Sequence, residues 1–200
     1  QWNTVTNGYK TAAASADMKV YGNKGNIVGM GINLLADQAG DLDFTTIKAG
    51  LALSVLRSLD YRDRNVISIG AEINHVSTRF DVSKMIGFEE EPLIALGISN
   101  KSKYFTYSIG LAWVHNFDKN RSFYVGGSLS HFNQPDVTFS KGLAQEGVIN
   151  TDFDAYNLYS KIIFNAGGNF KIARNFNILP SAIFTDQGPH QEILFGGYLK

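Results

Sequence analysis

Cysteine is absent from this 200-residue chain. Without it there is no disulfide framework, no zinc–thiolate site and no cysteine nucleophile. Long hydrophobic runs are missing too: nothing approaches the ~18 uninterrupted apolar residues of a transmembrane helix. Nor is there an excess of charge, because 18 Lys and Arg face 18 Asp and Glu. No basic face follows, so nucleic acid is not expected as a partner. The 3.6-residue periodicity of amphipathic helices is almost absent. No G-x-S-x-G elbow occurs, which removes the commonest serine-hydrolase signature. The pairs Gly29/Gly31, Gly126/Gly127 and Gly167/Gly168 lie inside strand-like patterns. There, glycine marks a bend or a close backbone approach rather than a phosphate loop.

What is present is alternation with a period of two, along the whole length. In residues 10–21, Ala12, Ala14, Ala16, Met18 and Val20 share one face, and Thr11, Ser15, Asp17 and Lys19 the other. Residues 27–37 set Val28, Met30, Ile32 and Leu34 against Gly29, Gly31 and Asn33. The pattern recurs over 44–58, 65–79, 102–116, 123–132, 155–172, 176–186 and from 190 onward. The expected architecture is an all-β antiparallel meander of about nine strands, in one domain spanning residues 1–200. Short turns are expected at 22–26, 60–65, 117–121 and 173–175, and long connections at 80–101 and 133–154. Short turns on one side with longer loops on the other is the asymmetry of an outer-membrane barrel.

A soluble barrel or sandwich also alternates. Three features favour the membrane. The apolar face is consistent from strand to strand. The opposite face is small and polar. Aromatic residues (Tyr9, Tyr21, Phe44, Phe80, Tyr104, Phe117, Phe123, Phe132, Phe176) sit near strand ends, as in interfacial girdles. A slightly negative mean hydropathy is no objection, since only every second residue of a barrel strand meets lipid. Gln1-Trp2-Asn3 reads as the interior of a longer chain, and about nine strands is odd for a bacterial barrel; a fragment truncated at both ends is expected.

No catalytic, cofactor-binding or metal-binding residue is expected. His75, His115, His131 and His190 are scattered near strand ends, and no pair has metal-ligand spacing on one face. Ser128, Ser130 and His131 are the nearest approach to a hydrolase pair. Glu89-Glu90-Glu91-Pro92 reads as a solvated loop, or as a surface that meets a partner or a cation. Lys48, Glu72 and Lys161 lie on the polar faces of their strands. In a soluble sheet they would be solvated; in a barrel they would face the lumen and pair or tune passage.

Four stretches, in order, carry a family resemblance. They are Gln1-Trp2 followed by YKTAAASADM, then VGMGINLLADQAGDLDFTTIKAGLALSV, then FYVGGSLSHFNQPDVTF, then ILPSAIFTDQGPHQEILFGGYL. Together they resemble the PorP/SprF family of Bacteroidetes outer-membrane proteins, whose strand ending in an S-H-L-N-Q-P-like break matches Ser130–Pro135 here. Phe132 departs from the leucine common at that place. The resemblance implies a non-enzymatic β-barrel in the bacterial outer membrane, longer at both ends and surrounded by outer-membrane lipid. It implies a role in type IX secretion. Secreted surface adhesins and other components of that machine are the implied partners, and no cofactor. A passive porin and a soluble β-barrel or sandwich binding module are the alternatives.

Overall fold

The computed structural model describes residues 9–23, 25–40, 42–81, 100–139, 157–174 and 176–200. Among them every regular element is a strand: β1 (Lys10–Asn23), β2 (Asn26–Ala39), β3 (Phe44–Ser58), β4 (Asn65–Arg79), β5 (Lys101–Asp118), β6 (Arg121–Ser130), β7 (Lys161–Ala173), β8 (Phe176–Gln187) and β9 (His190–Leu199). They form one nine-stranded antiparallel sheet in sequence order. Among the described residues, every extensive strand contact is between sequence neighbours, and all nine strands belong to the one sheet. A sandwich needs two such layers, so that alternative is removed for the described residues. The sheet is not closed: β9 does not pair with β1.

The strand that the alternation places over 155–172 begins later, at Lys161. Asn157 instead makes an isolated bridge to Asp136, and Leu158 N donates to the Pro135 carbonyl at 2.9 Å. Alternation alone cannot show that those bonds serve the connection rather than the sheet.

Turn chemistry fixes the registers. Gly25, with φ 79°, lies in the tight turn that sets Asn23 opposite Asn26, a conformation glycine adopts without steric cost. Asp118 closes the turn into β6 by accepting from Asn120 N at 2.8 Å and from Arg121 Nε at 2.8 Å. The turns after β1, β3, β5 and β7 lie at one end of the sheet. β4 ends and β5 begins, and β6 ends and β7 begins, at the other end.

Burial is inverted relative to a soluble domain. Leu51, Leu53 and Ile69 are 57%, 59% and 59% exposed. Among the described residues, the buried ones are polar (Asn74, Thr78, Ser102, Thr106) apart from Val76 and Gly50. The apolar face therefore looks outward and the polar face is the enclosed one. On the outer face, Phe105 to Trp113 measures about 26 Å along the strand at ~3.3 Å per residue. Tilted by ~35–45° as barrel strands are, this stretch rises roughly 20 Å, within an apolar band about 25 Å tall. Trp113, His115, Phe117 and Phe123 cluster at its short-turn end, with ring centroids 4.7–6.0 Å apart. Phe105 meets His75, and Tyr107 meets Phe132, at the other end.

Candidate functional site

The enclosed polar face gathers the side chains that the alternation set apart. Its registers run in straight rows: Ala52 pairs with Glu72, Glu72 with Ser108, Ser108 with Ser130, and Ser130 with Lys161. Side chains paired across strands share a face. Lys48 lies on that face too, an even number of residues from Ala52 in β3. Lys48, Glu72 and Lys161 thus all face the interior. A cavity of about 480 Å³ lies along this face, lined by Ser54, Gly70, Glu72, Ser108, Ser128 and Asn165 among others.

One row up, Asn33 pairs with Gly50 and Gly50 with Asn74. Asn33 donates through Nδ2 to Glu72, reaching over β3. Gly50 makes the crossing possible. A Cβ there would stand 2.1 Å from Asn74 Oδ1 and 2.6 Å from Asn33 Nδ2. Gly167 serves Tyr124 in the same way: a Cβ would stand 2.6 Å from the Tyr124 hydroxyl. These glycines receive side chains, which is close packing of the kind expected for Gly167.

At Ser130 the chain leaves the sheet. His131 and Gln134 adopt positive φ, 56° and 42°, and Gln134 N donates to the His131 carbonyl at 2.9 Å. Beyond its last pair with β6, Ser108–Ser130, β5 continues back to Lys101. There the side chain of Asn133 stands in for a strand. Its Nδ2 donates to the Phe105 carbonyl at 2.9 Å, and its Oδ1 accepts from Tyr107 N at 3.2 Å. Two backbone groups of β5 are thereby satisfied without a neighbouring strand. The S-H-F-N-Q-P stretch is thus a strand end, a tight turn and a side-chain graft onto the adjacent strand.

The histidines do not converge. His75 and His115 are on the outer face; His115 Nδ1 lies 2.7 Å from Asn65 Oδ1. His131 and His190 are on the enclosed side, His190 exposed at the start of β9. Among the described residues, no three His, Asp or Glu side chains gather as metal ligands. His131 Nδ1 lies 2.5 Å from Thr106 Oγ1, and neither Ser128 nor Ser130 hydrogen-bonds to it. No serine–histidine nucleophile is assembled there. Glu89-Glu90-Glu91-Pro92 lies outside the described residues.

Sequence reasoning did not single out Asn33, Gly50, Thr106, Asn133 or Phe139. It grouped Phe44 and Phe80 with the interfacial rings. Instead, Phe139 packs edge-on against both, at 6.1 Å and 5.3 Å. The signal for Phe44 was its parity: it alternates with Thr46 and Lys48, on the polar side of β3.

The family model described as type IX secretion system membrane protein PorP/SprF matches residues 1–199. This chain belongs to the PorP/SprF family. No curated protein and no solved structure is detectably similar to it. As a PorP/SprF protein it is a membrane component of the type IX secretion system. The outward apolar band and inward polar rows are the arrangement that a membrane position demands of a sheet. PorP/SprF membership also gives the S-H-F-N-Q-P break a place in the fold. It is the point where the wall stops and the long connection begins.

Proposed function

We propose that this PorP/SprF chain forms wall strands of an outer-membrane β-barrel that supports secretion or surface anchoring of partner proteins such as adhesins. It does so without catalysis. The observation that carries the reading is the family match along residues 1–199, joined to a sheet whose apolar side faces out. An alternating wall of this kind belongs to closed barrels, because lipid offers no partner for an open strand edge. Such bacterial barrels reside in the outer membrane, with lipid against residues such as Leu51, Ile69 and Leu111. Sheet closure would come from further strands beside β1 and β9. Partner contact falls to the connections around 80–101 and 133–154 or to the turns at the opposite end, since loops on a rigid scaffold carry recognition.

A passive porin is the second reading. It is favoured by the enclosed face with Lys48, Glu72 and Lys161 and by the cavity along it. The two readings separate in a strain lacking the gene. Loss of one surface protein, with its precursor held in the periplasm, supports the secretion role. An unchanged surface proteome with reduced solute uptake overturns it in favour of the porin.

A further inference from the structure

We infer that residues 131–139 form an inward-folded strap that closes the long-connection end of the barrel, latched by Phe139 against Phe44 and Phe80. The inference rests on the barrel reading. Its first support is direction. Thr46 and Thr78 approach each other at 3.4 Å on the enclosed face. Phe44 and Phe80 each lie two residues further along the same alternation, so their rings face inward at the rim. Phe139 meets both edge-to-face, the favoured geometry for ring pairs. The chain that departs from β6 therefore lands on β3 and the end of β4. It has crossed the ends of intervening strands on the lumen side, about 14 Å at ~4.8 Å per strand spacing.

The second support is the base of the strap. His131 sits on Thr106, which is fully buried. Asn133 grips the backbone of β5 through two bonds. Pro135 and Asp136 are tied to Leu158 and Asn157 of the returning chain. The base of the strap is thus fixed to β5 and to the returning chain.

The third is how differently the two ends are held. His131 and Gln134 keep left-handed backbone angles that non-glycine residues adopt at a cost. The tip is held by ring packing at the rim, and Thr138 N donates to Asp136 Oδ1 at 2.8 Å. A strained hinge beside a tip docked through ring contacts is a two-state element, and a ligand or partner that prefers the released tip shifts it toward open. In a passive porin the strap would be a fixed constriction. In a secretion component it keeps the outer membrane sealed until a partner engages the rim.

The test uses the full-length protein reconstituted in phospholipid, with heat-modifiable migration on gels reporting a folded barrel. The chain described here contains no cysteine, so Val137→Cys introduces a thiol at the tip and any other cysteine of the full-length protein is first replaced. The maleimide-labelling rate of that thiol is compared with and without Phe139→Ala. Labelling is expected to be slow in the parent and about tenfold faster with Phe139→Ala, the order expected for losing two ring contacts. Single-channel recordings should show a mostly closed parent and a larger open fraction in Phe139→Ala. Equal labelling rates in the two backgrounds overturn the strap, whatever the conductance. A latch-dependent labelling rate in a protein that shows no heat-modifiable barrel would leave the Phe139 contact standing but overturn the barrel reading, and with it the closure.

Discussion

Asn33 on β2 hydrogen-bonds to Glu72 on β4 although β3 runs between them. The bond exists because Gly50, the β3 residue under the crossing, has no side chain. Gly50→Ala is expected to destabilise the protein by about 1–3 kcal/mol, the usual cost of forcing extra volume into a packed site. A Cβ there meets Asn74 and Asn33 side chains well inside contact distance. Gly110 is the control. It lies on the same enclosed face, but its added Cβ finds nothing nearer than 3.6 Å. Gly110→Ala should be near neutral. Denaturant unfolding of both variants in lipid decides it, and equal effects would remove the crossing as the reason for Gly50.

Much of this fold was legible in the chain because a strand's alternation is local. Which residues share a face follows from parity alone, so about nine strands, their order as a meander and the polar-face placement of Lys48, Glu72 and Lys161 could all be read directly, whereas the direction of that face could not. The site was less legible because its contacts are not local. Asn33 and Glu72 are 39 positions apart, and nothing near Asn33 announces the partner. Phe44 and Phe80 look like girdle residues until Phe139 is seen against them. The late start of β7 has the same cause: residues 157 and 158 alternate like a strand, but their hydrogen bonds go to Pro135 and Asp136.

Asn133 offers a prediction about the graft onto β5. Asn133→Ala removes both bonds to Phe105 and Tyr107 and should cost about 1–3 kcal/mol, two net hydrogen bonds at ~0.5–1.5 each. Asn133→Asp keeps the acceptor for Tyr107 N and loses the donor to the Phe105 carbonyl. It should fall between the two. Amide exchange at Tyr107 reports the graft directly: it should speed up in the alanine variant and stay protected in the aspartate one. Identical exchange in all three proteins would mean that another group satisfies β5 there.

Asp60 gives the turn after β3 a pH dependence with a defined sign. Its carboxylate accepts from Arg64 N at 2.7 Å, from Asn65 Nδ2 at 3.0 Å and from Arg62 N at 3.2 Å. The Arg64 backbone N–H is the largest of the influences that hold its pKa below the ordinary 3.8. A depressed native value means that the charged form supports the folded turn at any pH above the ordinary value. That support is lost as pH falls through the native one. The Arg64 amide should therefore hold its protection down to about pH 4, near the ordinary carboxylate value, and lose it only in stronger acid. Asp60→Asn keeps an acceptor that does not titrate, so its acid dependence at this turn should vanish. Loss of protection in the parent well above the ordinary value would show that another group governs the turn.

Leu111 tests the solvent of the outer face. It is 53% exposed in mid-strand of β5, between Ile69 and Gly127. If lipid covers it, Leu111→Arg places a charge near the centre of the bilayer, at a cost of about 2–4 kcal/mol. Ser108→Arg, on the enclosed face of the same strand, should be tolerated to within roughly 1 kcal/mol, because lumen positions are wet. In a water-soluble module the ranking would reverse. Leu111 would already face water, so arginine there would be harmless, while arginine at half-buried Ser108 would disturb the packed side. Unfolding of the two variants in phospholipid vesicles separates the cases by sign and not only by size. The membrane reading stands only if the Leu111 variant is the weaker of the two.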